Sequence, residues 1–390
     1  MSRPALALLL CVSLVTVAGC GGKQRAGDRI PGRALTIYSS MPMQGPIRAA
    51  AEAVVRGEEL ALAQFHDRIG PYQIALKPLD DSTLQRNGWD PGQATQNARL
   101  ASADKTTIGY IGEFESGASA ISIPILNRAG IPQISPASTA VGLTSSAAGA
   151  SPGEPQKYYP TGVRTFVRVV PNDEVQAVAQ VRLQKSLGCG KTEVLDDGEV
   201  DGQDVATSFS LAAGAGGLPV TGVQPFEPTA SDYSSLASAV ARTGAGCVLI
   251  SATTEPGTVL LTKQLAAALP AARIFGSAGL AQSTYTDPAH GGIPASLDPH
   301  VLIAYGPPAP YMSSGYEAMS LLLSAIERAT DHGRRTALRS RVLAAVFDTH
   351  DRRSALGTYS IEPDGDTTLH RYGVYRLLAG RLRFWRAIDA

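Results

Sequence analysis

Several features that would assign this chain of 390 residues to common functional classes are missing from it. Its 34 Lys and Arg residues balance its 34 Asp and Glu residues, and no Lys/Arg-rich run occurs. Nucleic acid is therefore not an expected partner. After Cys20, no stretch is apolar over the roughly 20 residues that a membrane-spanning helix needs.

Signatures of catalysis and metal binding are missing as well. The sequence has no Gly-x-Ser-x-Gly elbow and no His-Glu-x-x-His motif. The acidic pair Asp80-Asp81 is predicted to cap or turn the chain, and Asp364-Gly365-Asp366 lacks calcium-ligand spacing and predicts a hairpin turn. We therefore expect no enzyme activity, no metal site and no cofactor. The six histidines are scattered without metal-ligand spacing: His66, His290, His300, His332, His350 and His370.

The N-terminus has the pattern of an export signal. Arg3 precedes an apolar run from Ala5 to Val17, which ends in Val17-Ala18-Gly19-Cys20. Small residues directly before a cysteine resemble the lipobox of bacterial lipoproteins, which implies a signal peptide over 1–19 and lipidation of Cys20. Residues 20–33 would then form a flexible tether to the outer face of the cell membrane. The alternative is an ordinary secretory signal with an incidental cysteine.

Only four cysteines occur, and Cys11 would leave with the signal peptide. Cys189 and Cys247 remain in the mature chain, each just before a predicted strand. A disulfide between them requires those strands to be neighbours. Two free cysteines buried as small apolar residues are the alternative, and the sequence leaves both open.

Short apolar strands alternate with helices from Ala34 onward, and a Pro/Gly/Ser-rich stretch from Ala147 to Pro160 separates two such series. Strands that are apolar on both faces are typical of parallel sheets covered by helices. The sequence therefore predicts an α/β fold with two doubly wound parallel-sheet lobes. The predicted division assigns 34–165 plus 303–356 to lobe 1 and 166–302 plus 357–390 to lobe 2.

Candidate ligand-binding residues follow three strands of the first series. In open parallel sheets, ligands bind beyond the carboxyl ends of the strands. The loop after the first strand contains Gln44, the loop 112–119 contains Ser116 and Gly117, and the loop 135–139 contains Ser138. Hydroxyl groups beside free backbone N–H groups at a helix start suit a carboxylate. The alternative is that these serines only cap helices.

The segments from Ile108 to Gly117 and from Ile123 to Thr139 resemble the branched-chain amino acid binding proteins of bacterial ABC transporters. Other segments that resemble this family are 45–65, 168–173 and 357–366, so the resemblance runs from about Ala34 to the end. It implies a type I periplasmic-binding-protein fold, in which two lobes joined by three hinge crossings close on a ligand.

The resemblance also implies roles for individual residues. Ser116 matches a serine that holds the ligand carboxylate, Ala137 matches a backbone contact, and Thr139 matches a threonine that contributes N–H and hydroxyl. In the second lobe, a ligand-facing tyrosine of the family falls near Thr253.

The family's acidic partner for the ligand ammonium falls near Ala278. Glu255, Glu199 or Asp201 are the nearby substitutes, and the alternative is that all three are solvated loop charges.

The functional hypothesis is an extracytoplasmic solute-binding lipoprotein of an ABC importer, monomeric, that passes an amino acid or related carboxylate or amide to a membrane permease. One alternative is a ligand-sensing lipoprotein that signals to a membrane receptor. An extracellular enzyme is the other.

Overall fold

The computed structural model describes residues 28–147, 149–306 and 311–390, and it has two lobes, each built around its own sheet. The predictions that concern the signal peptide and Cys20 lie outside the described residues. Within the described residues, no helix has the length and apolar character needed to cross a bilayer.

The first lobe begins as an alternating series of strands and helices. Its elements are β1 (Ala34–Met41), α1 (Arg48–Gln64), β2 (Arg68–Ile69), β3 (Tyr72–Asp80), β4 (Ser82–Thr83), β5 (Gly88–Trp89), α2 (Pro91–Ala103), β6 (Thr107–Ile111), α3 (Ser116–Ala129), β7 (Gln133–Ser135) and β8 (Phe166–Arg168). The sheet order is β2-β3-β1-β6-β7-β8, parallel except for β2. β4 and β5 form a separate two-stranded hairpin.

The second lobe repeats this alternation. Its elements are α4 (Asp173–Ser186), β9 (Thr192–Asp196), α5 (Val200–Gly216), β10 (Val220–Pro225), α6 (Ser234–Thr243), β11 (Cys247–Ser251), α7 (Pro256–Ala268), β12 (Arg273–Gly276), α8 (Ser283–Thr286) and β13 (Val301–Tyr305).

The remaining chain serves both lobes. Its elements are α9 (Tyr311–Ala329), α10 (Arg339–Phe347), β14 (Arg352–Ser354), β15 (Gly357–Tyr359), β16 (Arg371–Leu378) and β17 (Arg381–Asp389). α9 and α10 add their apolar faces to the first-lobe core. β16 and β17 complete the second sheet, whose order is β10-β9-β11-β12-β13-β16-β17.

Local sequence explains where several elements begin. Asp90 caps α2 by accepting hydrogen bonds from the N–H groups of Gly92 and Gln93, and Pro91 occupies the first helical position. Asn172 caps α4 by accepting from the N–H of Val175. β6 and β11 are buried throughout because helices cover both faces of each sheet.

Sheet and core membership differ from the predicted lobe boundaries. β8 pairs with β7 in the first sheet, although the chain from 166 was assigned to lobe 2. β13 lies in the second sheet, although 303 was assigned to lobe 1. β15 pairs with β14, and Tyr359, Ile361 and Leu369 belong to the first-lobe core. A strand's apolar pattern does not show which sheet the strand joins, so sequence alone misplaced these crossings.

Cys189 and Cys247 form a disulfide in the second lobe, with Cα atoms 5.9 Å apart. β9 and β11 are adjacent parallel strands, and Cys247 is aligned with Thr192. The bond therefore joins the amino-terminal ends of these two strands. Of the two alternatives that the sequence left open, the structure has the disulfide and not two free cysteines.

Candidate functional site

A cleft between the lobes lies at the carboxyl ends of the strands of both sheets. It contains an inner cavity of about 60 Å³ and, toward solvent, an outer cavity of about 610 Å³. Four residues line both spaces, so the two are continuous: Ile47, Glu115, Asp201 and Thr253. The outer cavity has the size of a typical small-molecule site, whereas the inner one has room for a few waters.

Ser116 organises the first-lobe wall from the first turn of α3. Its side chain is buried, and its Oγ accepts hydrogen bonds of 3.1 Å from the backbone N–H groups of both Thr139 and Ala140. This ties the loop after β6 to the loop after β7. The Ser116 hydroxyl keeps its own proton for donation to a further acceptor.

The structure brings some of the predicted binding residues together and separates others. Ala137 and Thr139 line the inner cavity, Gly117 and Glu255 line the outer cavity, and Thr253 lines both.

The remaining predicted residues serve the first lobe itself. Gln44 lines neither cavity, because its Nε2 donates to Asp80 Oδ2 at 3.0 Å. Ser138 lies behind the wall, where its Oγ is 2.8 Å from Ser119 Oγ. Sequence position placed both in the correct loops, but side-chain direction takes them away from the cleft.

A direct hydrogen bond crosses the cleft at the start of α3. The backbone N–H of Ser116 donates to Asp201 Oδ2 at 3.3 Å, and Asp201 lies in the first turn of α5 in the second lobe. The N–H groups at a helix start attract a negative charge. The Asp201 carboxylate of the second lobe therefore lies against Ser116, the residue at which the family resemblance places the ligand carboxylate.

The outer cavity is strongly acidic. Among its lining residues Arg86 is the one Lys or Arg side chain. Carboxyl groups line it from both lobes: Glu115, Asp197, Glu199, Asp201, Glu227 and Glu255.

Burial holds several of these carboxyl groups toward their neutral form. The pKa of Glu115 is well above its ordinary value because of burial and then the nearby charge of Asp201. Burial raises the pKa of Asp197 to about 6, although it accepts hydrogen bonds from the backbone N–H groups of Thr253 and Glu199. Burial raises the pKa of Glu255 to about 7, and the charges of Asp197 and Glu199 add to this. The cleft thus contains more carboxyl groups than the basic side chains in its lining can neutralise.

Four residues of the cleft are not predicted by the sequence. Gln176, Gln282 and Tyr311 line the inner cavity, and Trp89 lines the outer one. A Cβ added to Gly117 would lie 2.6 Å from Trp89 Cζ2, so the indole packs on the start of α3. A glycine at position 117 indicates that another group packs closely against the start of α3. The sequence does not show that this group is Trp89. Among the described residues, no group of three or more His, Cys, Asp or Glu side chains is arranged to hold a metal ion.

Two α/β lobes that enclose a polar cleft between their strand ends define a two-lobed binding protein. Residues 37–296 match the family model described as periplasmic binding protein, and the chain belongs to that family. A search of curated protein sequences finds no match.

Solved structures of similar fold include a leucine-binding protein, LivK, from Thermotoga maritima. It has 22% identity and a TM-score of 0.74, and the alignment covers 91% of this chain and 99% of that protein. A solute-binding protein of an ABC transporter from Rhodopseudomonas palustris, in complex with p-hydroxybenzoic acid, has 15% identity and a TM-score of 0.72, with coverage of 92% and 97%. LivJ from Streptococcus pneumoniae, in complex with isoleucine, has 14% identity and a TM-score of 0.72, with coverage of 92% and 100%. At these identities the similarity shows the fold.

Proposed function

We propose that this chain is the extracytoplasmic solute-binding component of an ABC importer, anchored through a lipidated Cys20 and monomeric. It captures a small polar solute, an amino acid or a related carboxylate or amide, by closing its two lobes on it. The solute leaves the protein chemically unchanged and passes to a membrane permease.

The observation that carries this proposal is the continuous cleft between the lobes. Its walls combine groups from both lobes, such as Ala137 and Thr139 on one side and Gln176, Asp201 and Thr253 on the other. A solute held by both walls favours the closed arrangement over the open one, which couples binding to hinge closure. The membership in the periplasmic binding protein family supports the same function.

The similar solved structures support a small solute of this kind. LivK is a leucine-binding protein, LivJ was solved with isoleucine, and the Rhodopseudomonas palustris protein was solved with p-hydroxybenzoic acid. An amino acid would present its ammonium to the acidic groups that line the outer cavity. Glu255 and Asp201 would take the place of the family's acidic residue, which is Ala278 here.

A thermal-stability screen of the chain from Gly21 onward tests ligand capture. A solute that binds only the folded protein stabilises it by about 2.7 kcal/mol at a hundredfold excess over Kd. We expect a saturable rise in melting temperature with at least one amino acid, amide or short carboxylate. Turnover of the bound compound, followed by chromatography, would contradict the binding function.

The membrane partner is tested separately. Photo-crosslinking of the full-length protein in its native membrane, with and without the identified solute, should capture a permease in a solute-dependent manner. Capture of a signalling receptor in place of a permease would contradict the importer function and support the sensor.

A further inference from the structure

We propose that the solute binds as a net cation, with its protonated amine between the carboxyl groups of Glu115 and Asp201 and an uncharged oxygen acceptor against Gln282. This inference rests on the proposed solute-binding function and narrows the class of solute. Under this inference, the protein binds amines that lack a carboxylate more tightly than zwitterionic amino acids.

Two carboxyl groups border the same space from opposite lobes. Glu115 precedes α3 in the first lobe, and Asp201 lies in the first turn of α5 in the second. Both line the inner and the outer cavity. Two carboxyl groups that face one cavity repel each other when both are charged, unless a cation lies between them. A protonated amine in this place neutralises both lobes at once and favours closure.

The helix start beside this pair is already occupied by a negative charge. The backbone N–H of Ser116 donates to Asp201 Oδ2. A solute carboxylate at the same place would have to displace Asp201 and would lie beside the carboxyl group of Glu115. In a closed cleft of low dielectric, that arrangement of like charges is unfavourable.

A hydrogen-bond donor without a partner lies at the inner end of the cleft. Gln282 is 5% exposed and lines the inner cavity, and its Nε2 has no hydrogen-bond partner among the described residues. A buried amide donor without a partner is destabilising, and a solute acceptor would satisfy it. Because the donor is uncharged, an amide or hydroxyl oxygen satisfies it without bringing a negative charge into the acidic cleft.

The charged groups around Glu115 and Asp201 also favour a cationic solute. Asp197, Glu199 and Glu255 face the outer cavity from the second lobe, and Arg86 faces it from the β4–β5 hairpin. The lining is therefore negative overall, which attracts cations and repels anions.

Four compounds that share one branched side chain test this inference: L-leucinamide, 3-methylbutylamine, L-leucine and 4-methylpentanoate. They represent an amine with an amide oxygen, an amine alone, a zwitterion and an anion. Thermal shifts of the chain from Gly21 onward are measured with each at 10 mM and pH 7. We expect the largest shift with L-leucinamide, a smaller one with 3-methylbutylamine, and the smallest with L-leucine and 4-methylpentanoate.

The outcomes separate the two proposals. A shift with L-leucine or 4-methylpentanoate that equals or exceeds the shift with L-leucinamide overturns the cation inference and leaves solute binding intact. No shift with any of the four, nor with the wider set of amino acids, amides and carboxylates, contradicts solute binding itself.

Substitutions at Gln282 and Asp201 test the two proposed solute contacts. Gln282→Leu should lower the shift with L-leucinamide toward that with 3-methylbutylamine and so abolish the preference between the two compounds. Gln203→Leu, an exposed glutamine on α5 that lines neither cavity, is the matched control and should behave as the wild type. Asp201→Asn should reduce the shifts with both amines. If Gln282→Leu preserves the preference, or if Asp201→Asn strengthens the amines, the assignment of these contacts is wrong.

Discussion

Arg168 Nε and Asp366 Oδ1 lie 2.7 Å apart and join two of the chain segments that cross between the lobes. Arg168 ends β8 at the first crossing, and Asp366 lies in the third crossing, between β15 and β16. Arg168 also donates to the backbone carbonyl of Ser138, and Asn172 Nδ2 donates to the second Asp366 oxygen at 2.8 Å. The pair thus links the hinge to the loop that lines the cleft.

The substitution Asp366→Asn should destabilise the protein strongly. Arg168 is fully buried, and a buried charge that loses its partner typically costs about 3–5 kcal/mol. Urea denaturation measures the loss. Asp389→Asn is the control, because it removes the exposed pair with Arg371 and should cost less than about 1 kcal/mol. Similar losses for the two variants would contradict a structural role for the buried pair.

The buried Glu58 should make stability depend on pH. Glu58 on α1 is fully buried, and its burial raises its pKa to about 8. Below about pH 4.5 the group is protonated in both states. Between about 4.5 and 8 the unfolded chain ionises first, so stability falls by up to about 1.4 kcal/mol per pH unit. Glu58→Gln should remove this part of the decline in denaturation experiments from pH 4 to 8.

The exposed neighbour Glu59 provides the control for this measurement. Glu59→Gln should retain most of the wild-type decline with pH. If Glu58→Gln also retains the decline of stability with pH, the decline does not come from the buried Glu58 carboxyl group.

Removal of the disulfide should lower stability without changing the cleft. Cys189 and Cys247 are 58 residues apart, and a bridge over a loop of this length contributes about 2–4 kcal/mol. The double variant Cys189→Ala, Cys247→Ala should therefore melt at a lower temperature. Because the bridge lies at the amino-terminal strand ends, opposite the cleft, a bound solute should raise the melting temperature of variant and wild type equally. A solute shift lost only in the variant would contradict this separation.

Helices α1 and α9 cross in close contact, and a small residue is required there. A Cβ added to Gly57 would lie 2.0 Å from the backbone oxygen of Met312. Gly57→Ala should therefore destabilise the first lobe by about 1–3 kcal/mol, measured by thermal denaturation. Gly214→Ala in α5 is the matched control: the added Cβ meets nothing within 4 Å, and alanine favours a helix. Equal effects of the two substitutions would show that the helix crossing tolerates a side chain.

Much of the element pattern was predictable because it depends on local periodicity. The sequence predicts a helix from Gly117 to Arg128 and a strand from Tyr372 to Leu378, and the structure has α3 over Ser116–Ala129 and β16 over Arg371–Leu378. It also predicts a turn at Ala379-Gly380, where both residues have positive φ, 50° and 74°. Turn chemistry and apolar alternation act over a few residues, so they can be identified without a structure.

The candidate site was predictable only in part. Loop position and the family resemblance together pointed to Ala137 and Thr139, and the resemblance alone pointed to Thr253; all three line the inner cavity. The same reasoning included Gln44, because a loop position does not fix the direction of a side chain. Gln282 follows the short turn after β12, and nothing in its local sequence distinguishes it from an exposed polar residue.

By itself, the sequence determined two α/β series, the resemblance to a binding-protein family and the loops that border the cleft, because strand periodicity and motifs are local. The tertiary structure decided which sheet β8 and β13 join, since this depends on pairing between distant segments. It also decided that Glu115 and Asp201 border one cleft from opposite lobes and that the Ser116 N–H donates to Asp201 across it. Those contacts join residues more than 80 positions apart, and only the closure of two lobes around one cleft brings them together.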